Sequence, residues 1–533
     1  MSVHHGWVGD PALFVAVHLP ERAALGVVIC PPLAQEGVSA YRTLRLLAER
    51  LEARGVAAVR FDAPGRGESA PVAETGAVLG GAREAAELLR RAGCARIAYL
   101  GLASGAFAAS AAAEPGDLLV LWDAPRSGRA WLRRQRSLAA LTLGPDRVAD
   151  GVETIVGMDL TEGEVAAIGA AGVAVPAGVR AVAVVRRGEQ PPAEVAETVE
   201  VDGMEDLLGV SSMTSRIPAD AVLTIVDRLA AEAGSGAEES PAGASAEPAP
   251  LTPPRLAAER HADGIVERLL RVGPHALFGI ETAPRDPAPG APVLLLHNGA
   301  SEHRVGAADY QVLWGRELAA RGVRVLRVDR RGTGESGELD LDPDDLMFTQ
   351  AWIDDQDAMI EAAGVDGDRL VVAGLCVGAW LAAHAAPRRP RLVVGISQDV
   401  FRPEPAAPNE IVEYFRQVDR VTPARRRLRR AFNRFAPPRL KVLVARTRGR
   451  GDVGAHFAPL AEAGVPTVLL LSPLDVAGFA DLDGPETVRR MGGAVEVIRL
   501  PSGDHSLFSR PARLRVFEEL SSRVAAGAAP GAH

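Results

Sequence analysis

The sequence predicts an α/β protein built as two tandem domains, each a mostly parallel sheet covered by helices on both faces. Three observations lead there. Short apolar runs rich in β-branched residues alternate with amphipathic stretches. The same blocks occur twice in the same order. A segment with almost nothing to bury separates the two sets.

The strands are clearest in the second half: "APVLLLHN", "VRVLRVD", "RLVVAG", "RLVVGIS", "TVLLLS" and "VEVIRL". Helical stretches such as "DYQVLWGRELAARG" lie between several of them. Unbroken hydrophobic strands separated by helices indicate a parallel sheet buried on both faces. Ligands of such sheets bind in the crevice at the carboxyl ends of the strands, and each motif considered below falls at such an end.

The repeat is read from matched blocks. "VGDPALF" from Val8 answers to "VGPHALF" from Val272, "VRFDAPGRGES" to "LRVDRRGTGES", and "GLASGA" to "GLCVGA". Tandem duplication is the simplest account. The segment Ala231–Pro254 is rich in Ala, Gly, Ser, Pro and Glu, and it reads as a flexible linker because it cannot offset its own ordering entropy. The expected domains are residues 1–230, a linker at 231–255, and 256–530.

Composition narrows the function. A chain of 533 residues suits two domains. No apolar run is long enough for a membrane span, and the N-terminus lacks the pattern of a secretory leader, so a cytoplasmic location is expected. The net charge of −9 argues against nucleic acid as a partner. Cys30, Cys94 and Cys376 are too few and too scattered for a disulfide framework or a metal-ligand spacing. No metal and no cofactor is expected.

The stretch Leu370–Ala383, "LVVAGLCVGAWLAA", has the form of a strand, a sharp turn and a helix that present a nucleophile, with Cys376 at the apex. Gly374 and Gly378 supply the small residues that a tight strand-to-helix turn requires. The apex sits at a helix N-terminus, where thiolate is favoured over thiol. A buried structural cysteine is the alternative. A nucleophile needs a base, and the base an orienting acid. His505 lies in a loop at the carboxyl end of the strand "VEVIRL", and Asp475 follows the strand "TVLLLS". Asp399 and Asp481 are the other positions for the acid. An oxyanion hole is expected from the backbone N–H of Val377 and the loop containing Gly299 and Ala300. Glu302, His303 and Arg304 crowd that loop as candidate substrate contacts, or simply as a solvated charged surface.

These residues carry a resemblance. With "NGASEHRVG", "LRVDRRGTGES", "GLCVGA", "LLLSPLDVAG" and "SGDHSLFSRPAR", the second half resembles the α/β-hydrolase superfamily. It looks most like bacterial serine-aminopeptidase-like (S33-type) hydrolases found beside polysaccharide and natural-product pathways, in which a "GLCSGA" turn bears the cysteine. Val377 departs from that pattern, although only its backbone is required. The resemblance implies ester, thioester or acyl-transfer chemistry on a small-molecule or carrier-bound acyl substrate, with a helical lid at about 400–438.

The first half is similar to the same superfamily but lacks its chemistry. Ala103 stands at the apex of "GLASGA", and no histidine occurs between His18 and His261. Glu189 sits about where an acid belongs, and Ser104 is offset from the apex. A degenerate domain is expected there. Within the lid stretch, Arg425, Arg426, Arg427, Arg429, Arg430 and Arg434 interleave with Leu428, Phe432 and Phe435. Such a basic face suits an acyl carrier protein, or it is merely solvated. Two other readings stand beside acyl chemistry: a non-catalytic binding or scaffold protein, and a cyclase or lyase using the same pocket.

Overall fold

The computed structural model describes residues 3–144, 147–210, 213, 215–235, 248–410, 413 and 451–525. The chain divides into two compact units. One is Met1–Arg260 with Ala307–Asp309 and Leu339–Asp342; the other is His261–Gly306, Tyr310–Glu338 and Pro343–His533.

In the second unit the sheet order is Glu259–Ala262, Ile265–Val272, Leu277–Pro284, Arg324–Val328, Val293–His297, Leu370–Leu375, Leu392–Ile396, Thr467–Leu471, Val495–Arg499. From Arg324–Val328 onward every pairing is parallel, while Leu277–Pro284 pairs antiparallel with both of its neighbours. Alternation of side chains along each strand splits the core into two layers. Val293, Leu295, Leu370 and Val372 meet Met359, Ile360, Phe457 and Leu460 on one face. On the other, Leu294, Leu296, Val371 and Ala373 meet Tyr310, Trp314, Leu318, Val516 and Leu520. Both faces are therefore closed, so these strands read as continuous apolar runs rather than as alternating ones.

The first unit has the same plan. Its order is Val3–Val8, Leu13–His18, Ala57–Phe61, Leu25–Cys30, Arg96–Leu102, Leu118–Trp122, Arg180–Arg186, Glu197–Val201. Its first two pairings are antiparallel and the others parallel. Two core layers again lie on opposite faces, one around Val27, Leu47 and Ile225, the other around Val28, Leu89 and Tyr99.

The blocks "DAPGRGES" and "DRRGTGES" serve the scaffold. Asp62 accepts the Glu68 N–H at 2.8 Å, and Asp329 accepts the Glu335 N–H at 2.9 Å. Ser69 and Ser336 accept the N–H groups of Phe14 and Phe278 at 3.0 and 2.8 Å. Gly67 and Gly334 have φ of +51° and +46°, and a Cβ at either would strike the aspartate at 2.4 or 2.0 Å, so only glycine fits.

Both described ends of the expected linker are structured. A helix runs Ala219–Ser235. Leu251 N–H bonds to Glu21 C=O at 2.9 Å, and Thr252 N–H to Ala92 C=O at 2.8 Å. Of the expected lid, residues 400–410 and 413 are described, with Phe401 buried and Ala406 N–H donating to Phe348 C=O at 2.7 Å. Arg425–Arg434, and with them the expected carrier-docking face, lie outside the described residues. Among the described residues no helix is long and apolar enough to cross a membrane.

Candidate active site

Cys376 sits between the strand Leu370–Leu375 and the helix Val377–Ala383. Its φ of +54° with ψ of −113° is a conformation that side chains other than glycine rarely adopt. Such strain persists only where the surroundings hold it. Here the Cys376 N–H bonds to Ile396 C=O at 2.8 Å, and the flanking glycines let strand, helix and loop close on one another. A Cβ on Gly374 would lie 2.2 Å from Gly378 backbone atoms, and one on Gly378 would lie 2.7 Å from Asn298 C=O. The thiol that results is partly exposed, whereas Cys30 and Cys94 are buried.

The fold brings His505 and Asp475 to this thiol. Asp475 Oδ1 lies 2.7 Å from His505 Nδ1, which leaves Nε2 on the far side of the ring. A His505 ring nitrogen lies within 4.8 Å of Cys376 Sγ. The sequence suggests a loop for Asp475, but it lies in the first turn of the helix Pro473–Asp481, capped by Ser472. The helix N-terminus favours its carboxylate, as does the Ser472 hydroxyl donating at 2.6 Å. Burial acts against that carboxylate, yet His505 and Ser472 outweigh it and hold Asp475 below the usual aspartate range. Burial likewise disfavours the imidazolium of His505, but Cys376 and Asp475 raise it well above the ordinary histidine value. Asp504 shapes the histidine loop, its carboxylate accepting the N–H groups of Ser506, Phe508 and Ser509.

The two other acid positions separate. Asp481 ends the helix that Asp475 begins. Asp399 reaches the thiol and imidazole, with one carboxylate oxygen within 4.8 Å of both donor atoms.

Residues 293–515 match a sequence model of the Alpha/beta hydrolase family. The second unit has the α/β-hydrolase fold. Solved structures similar to the chain include a thioesterase domain from the curacin biosynthetic pathway, 19% identical over 49% of this chain and 99% of that one, with a TM-score of 0.29. An acetyl xylan esterase from Paenibacillus sp. R4 is 20% identical over 49% of this chain and 85% of that one, TM-score 0.31. A haloalkane dehalogenase variant from Bradyrhizobium elkanii is 17% identical over 50% and 97%, TM-score 0.31. A comparison with curated proteins returns no match.

In this unit the loop after Val293–His297 passes beside Cys376. A Cβ on Gly299 would be 3.6 Å from that of Cys376. The Gly299 N–H is already taken by Asn298 Oδ1 at 2.9 Å. Among the described residues the Ala300 N–H has no hydrogen-bond acceptor. Val377, as the first residue of its helix, has no intrahelical acceptor for its N–H. Among the described residues, the Ala300 and Val377 N–H groups beside this turn are thus not taken by a protein acceptor.

Glu302 and His303 are buried in the same loop. Arg304 is turned into the scaffold. Its side chain is fully buried, ion-paired to Asp329 at 2.8 Å and stacked 4.4 Å over the Phe278 ring.

A residue that the sequence reading passed over holds this loop. The buried Arg330 donates to the C=O groups of Asn298 at 2.8 Å, Gly299 at 3.4 Å and Ala300 at 3.0 Å, and its guanidinium stacks 4.2 Å over Trp352. With three successive carbonyls turned toward one cation, the loop's backbone orientation is set. Burial brings Arg330 down to about 10, against Asp329, Asp355 and Cys376, which work the other way; it stays charged at neutral pH. The signal was available in sequence: the matching position in the first half of the chain is Ala63, in "DAPGRGES".

The first unit keeps the turn with alanine at its apex. Ala103 retains φ of +45° and its N–H bonds to Trp122 C=O at 2.8 Å. Ser104 Oγ accepts the Leu33 N–H at 2.9 Å, so this loop amide is occupied by the protein's own side chain. Asp123, at the end of a neighbouring strand, is paired with Arg186 at 2.8 Å. Glu189 is exposed.

Proposed function

We propose that the second unit is a cysteine-dependent acyl hydrolase or acyltransferase acting on an ester or thioester. One observation carries the reading: a partly exposed thiol on a strained turn, beside a histidine whose other ring nitrogen is bonded to a buried aspartate. Cys376 Sγ attacks the acyl carbon while His505 takes the thiol proton. Asp475 fixes the ring tautomer and stabilises the imidazolium. The tetrahedral oxyanion sits between the Val377 and Ala300 amides, with Gly299 allowing close approach. His505 then returns the proton to the departing alcohol or thiol, leaving acyl-Cys376. Water, an alcohol or an amine, deprotonated by His505, attacks that thioester and releases the thiol. Glu302 and His303 stand at the loop as candidate substrate contacts.

On this reading the first unit is the non-catalytic copy of a tandem duplication, supported by the shared strand order and by Ser104 occupying its loop amide. The substrate is a small or carrier-bound acyl group, and a carrier would dock through Arg425–Arg434. The test is intact-mass spectrometry after incubation with an activated acyl thioester. A single acyl adduct on Cys376, absent in Cys376→Ala, supports the reading; an adduct unaffected by the substitution defeats it.

Arg330 acts through the loop and is a positioning residue. Arg330→Met should lower kcat by about 10²-fold, the scale of one lost oxyanion donor, with a smaller change in KM. Arg330→Lys, which keeps the charge but not the fork, should recover part of the loss. Equal loss in both kcat and KM, with no recovery by lysine, would assign Arg330 a purely structural role.

A further inference from the structure

Cys376, Asp399 and His505 follow three different strands, Leu370–Leu375, Leu392–Ile396 and Val495–Arg499. In the fold one ligand atom from each lies within 4.8 Å of the other two, and all three residues are partly exposed. Asp475 already serves as the acid on His505, so acyl transfer as described leaves Asp399 without a task. Sulfur, imidazole nitrogen and carboxylate oxygen converging at this distance form a set of donors that one cation can bridge.

We propose that Cys376, His505 and Asp399 form a zinc-binding site, and that reversible capture of Zn²⁺ there blocks the nucleophile. The donor set is sulfur, imidazole nitrogen and carboxylate oxygen, the mixture that suits Zn²⁺ among the divalent cations. Three protein ligands leave a fourth position for water. The Asp475–His505 bond has a second use here, because a ligating histidine characteristically gives its other N–H to a carboxylate, which fixes the tautomer and raises its basicity. On binding, the proton shared between Cys376 and His505 goes to solvent, Nδ1 keeps its proton toward Asp475, and the Zn–S and Zn–N bonds replace bonds from zinc to water, with no change of oxidation state. The fourth strong charge at the site, the buried Arg330, is held by carbonyls of the loop. Around the histidine, Asp399, Asp475 and the thiolate supply three negative charges.

The blocking role rests on the acyl-transfer reading; the metal site does not. The full chain, stripped with EDTA, is titrated with Zn²⁺ against a chromogenic chelator. One equivalent should bind. Asp399→Ala should weaken it at least about tenfold and Cys376→Ala at least about a hundredfold, with Asp399→Asn and thermal melts serving as checks on folding. Co²⁺ should give a sulfur-to-metal charge-transfer band in the wild type and none in Cys376→Ala. Absence of stoichiometric binding, or binding that Asp399→Ala and Asp399→Asn leave unchanged, overturns the three-ligand site. Zinc should also suppress formation of the acyl adduct, with EDTA restoring it. If zinc binds to a protein that is never acylated, the acyl-transfer reading fails and the metal site stands. If acylation proceeds but zinc does not bind, the reverse holds.

Discussion

Cys376→Ala should lower kcat/KM toward an activated acyl thioester by about 10⁴-fold or more, with KM changed little. The thiol supplies the bond-forming atom, so its loss removes the covalent route and leaves only what the oxyanion donors and binding can do. Stability should change far less, because alanine already occupies the corresponding apex in the first unit at φ of +45°. His505→Ala and the double variant should be no worse than Cys376→Ala alone, since residues acting as one unit lose activity together. Steady-state kinetics on the three proteins checks this. Additive losses would mean that the two side chains work separately.

The largest effect on stability is expected at Arg304→Met. The Arg304–Asp329 pair is wholly buried, and Asp329 also accepts the Arg304 and Glu335 N–H groups at 2.7 and 2.9 Å. Removing the cation alone strands a carboxylate in the core, a change that costs about 3–5 kcal/mol. For a unit of this size that is a fall in Tm of roughly 10 °C. Pairing Arg304→Met with Asp329→Asn should recover part of the loss, because neither charge is then left uncompensated. Differential scanning calorimetry on the two proteins decides it, and a double variant as unstable as the single one would count against the stranded charge as the cause.

How far the site was legible in the sequence depends on what each residue does. Cys376 and its flanking glycines could be read because a strained turn imposes a local pattern: the strand before it is apolar, and the residues on either side must be small. His505 was legible through its loop and through the scarcity of histidines after His456. Asp475 was preferred over Asp399 and Asp481 for its place just after a strand, but the spacing of acids along the chain gives no distance to His505. Arg304 carried a misleading signal, since a charged residue in a loop usually faces water; here Asp329 and the Phe278 ring make burial affordable. Arg330 hid inside a motif whose other members shape the scaffold.

What the sequence by itself determined was the architecture. Period, apolar runs and repeated blocks are local properties of the chain, and they specify alternating strands and helices, two units and a sharp strand-to-helix turn in each. Only the tertiary structure decided which acid bonds to His505, which loop amides have no other acceptor, where Arg304 and Arg330 point, and that Asp399 joins the thiol and imidazole. Those outcomes depend on distances of a few ångströms between residues remote in sequence. Such distances are set by how strands are ordered in the sheet and by how helices pack on its faces, which no local pattern encodes.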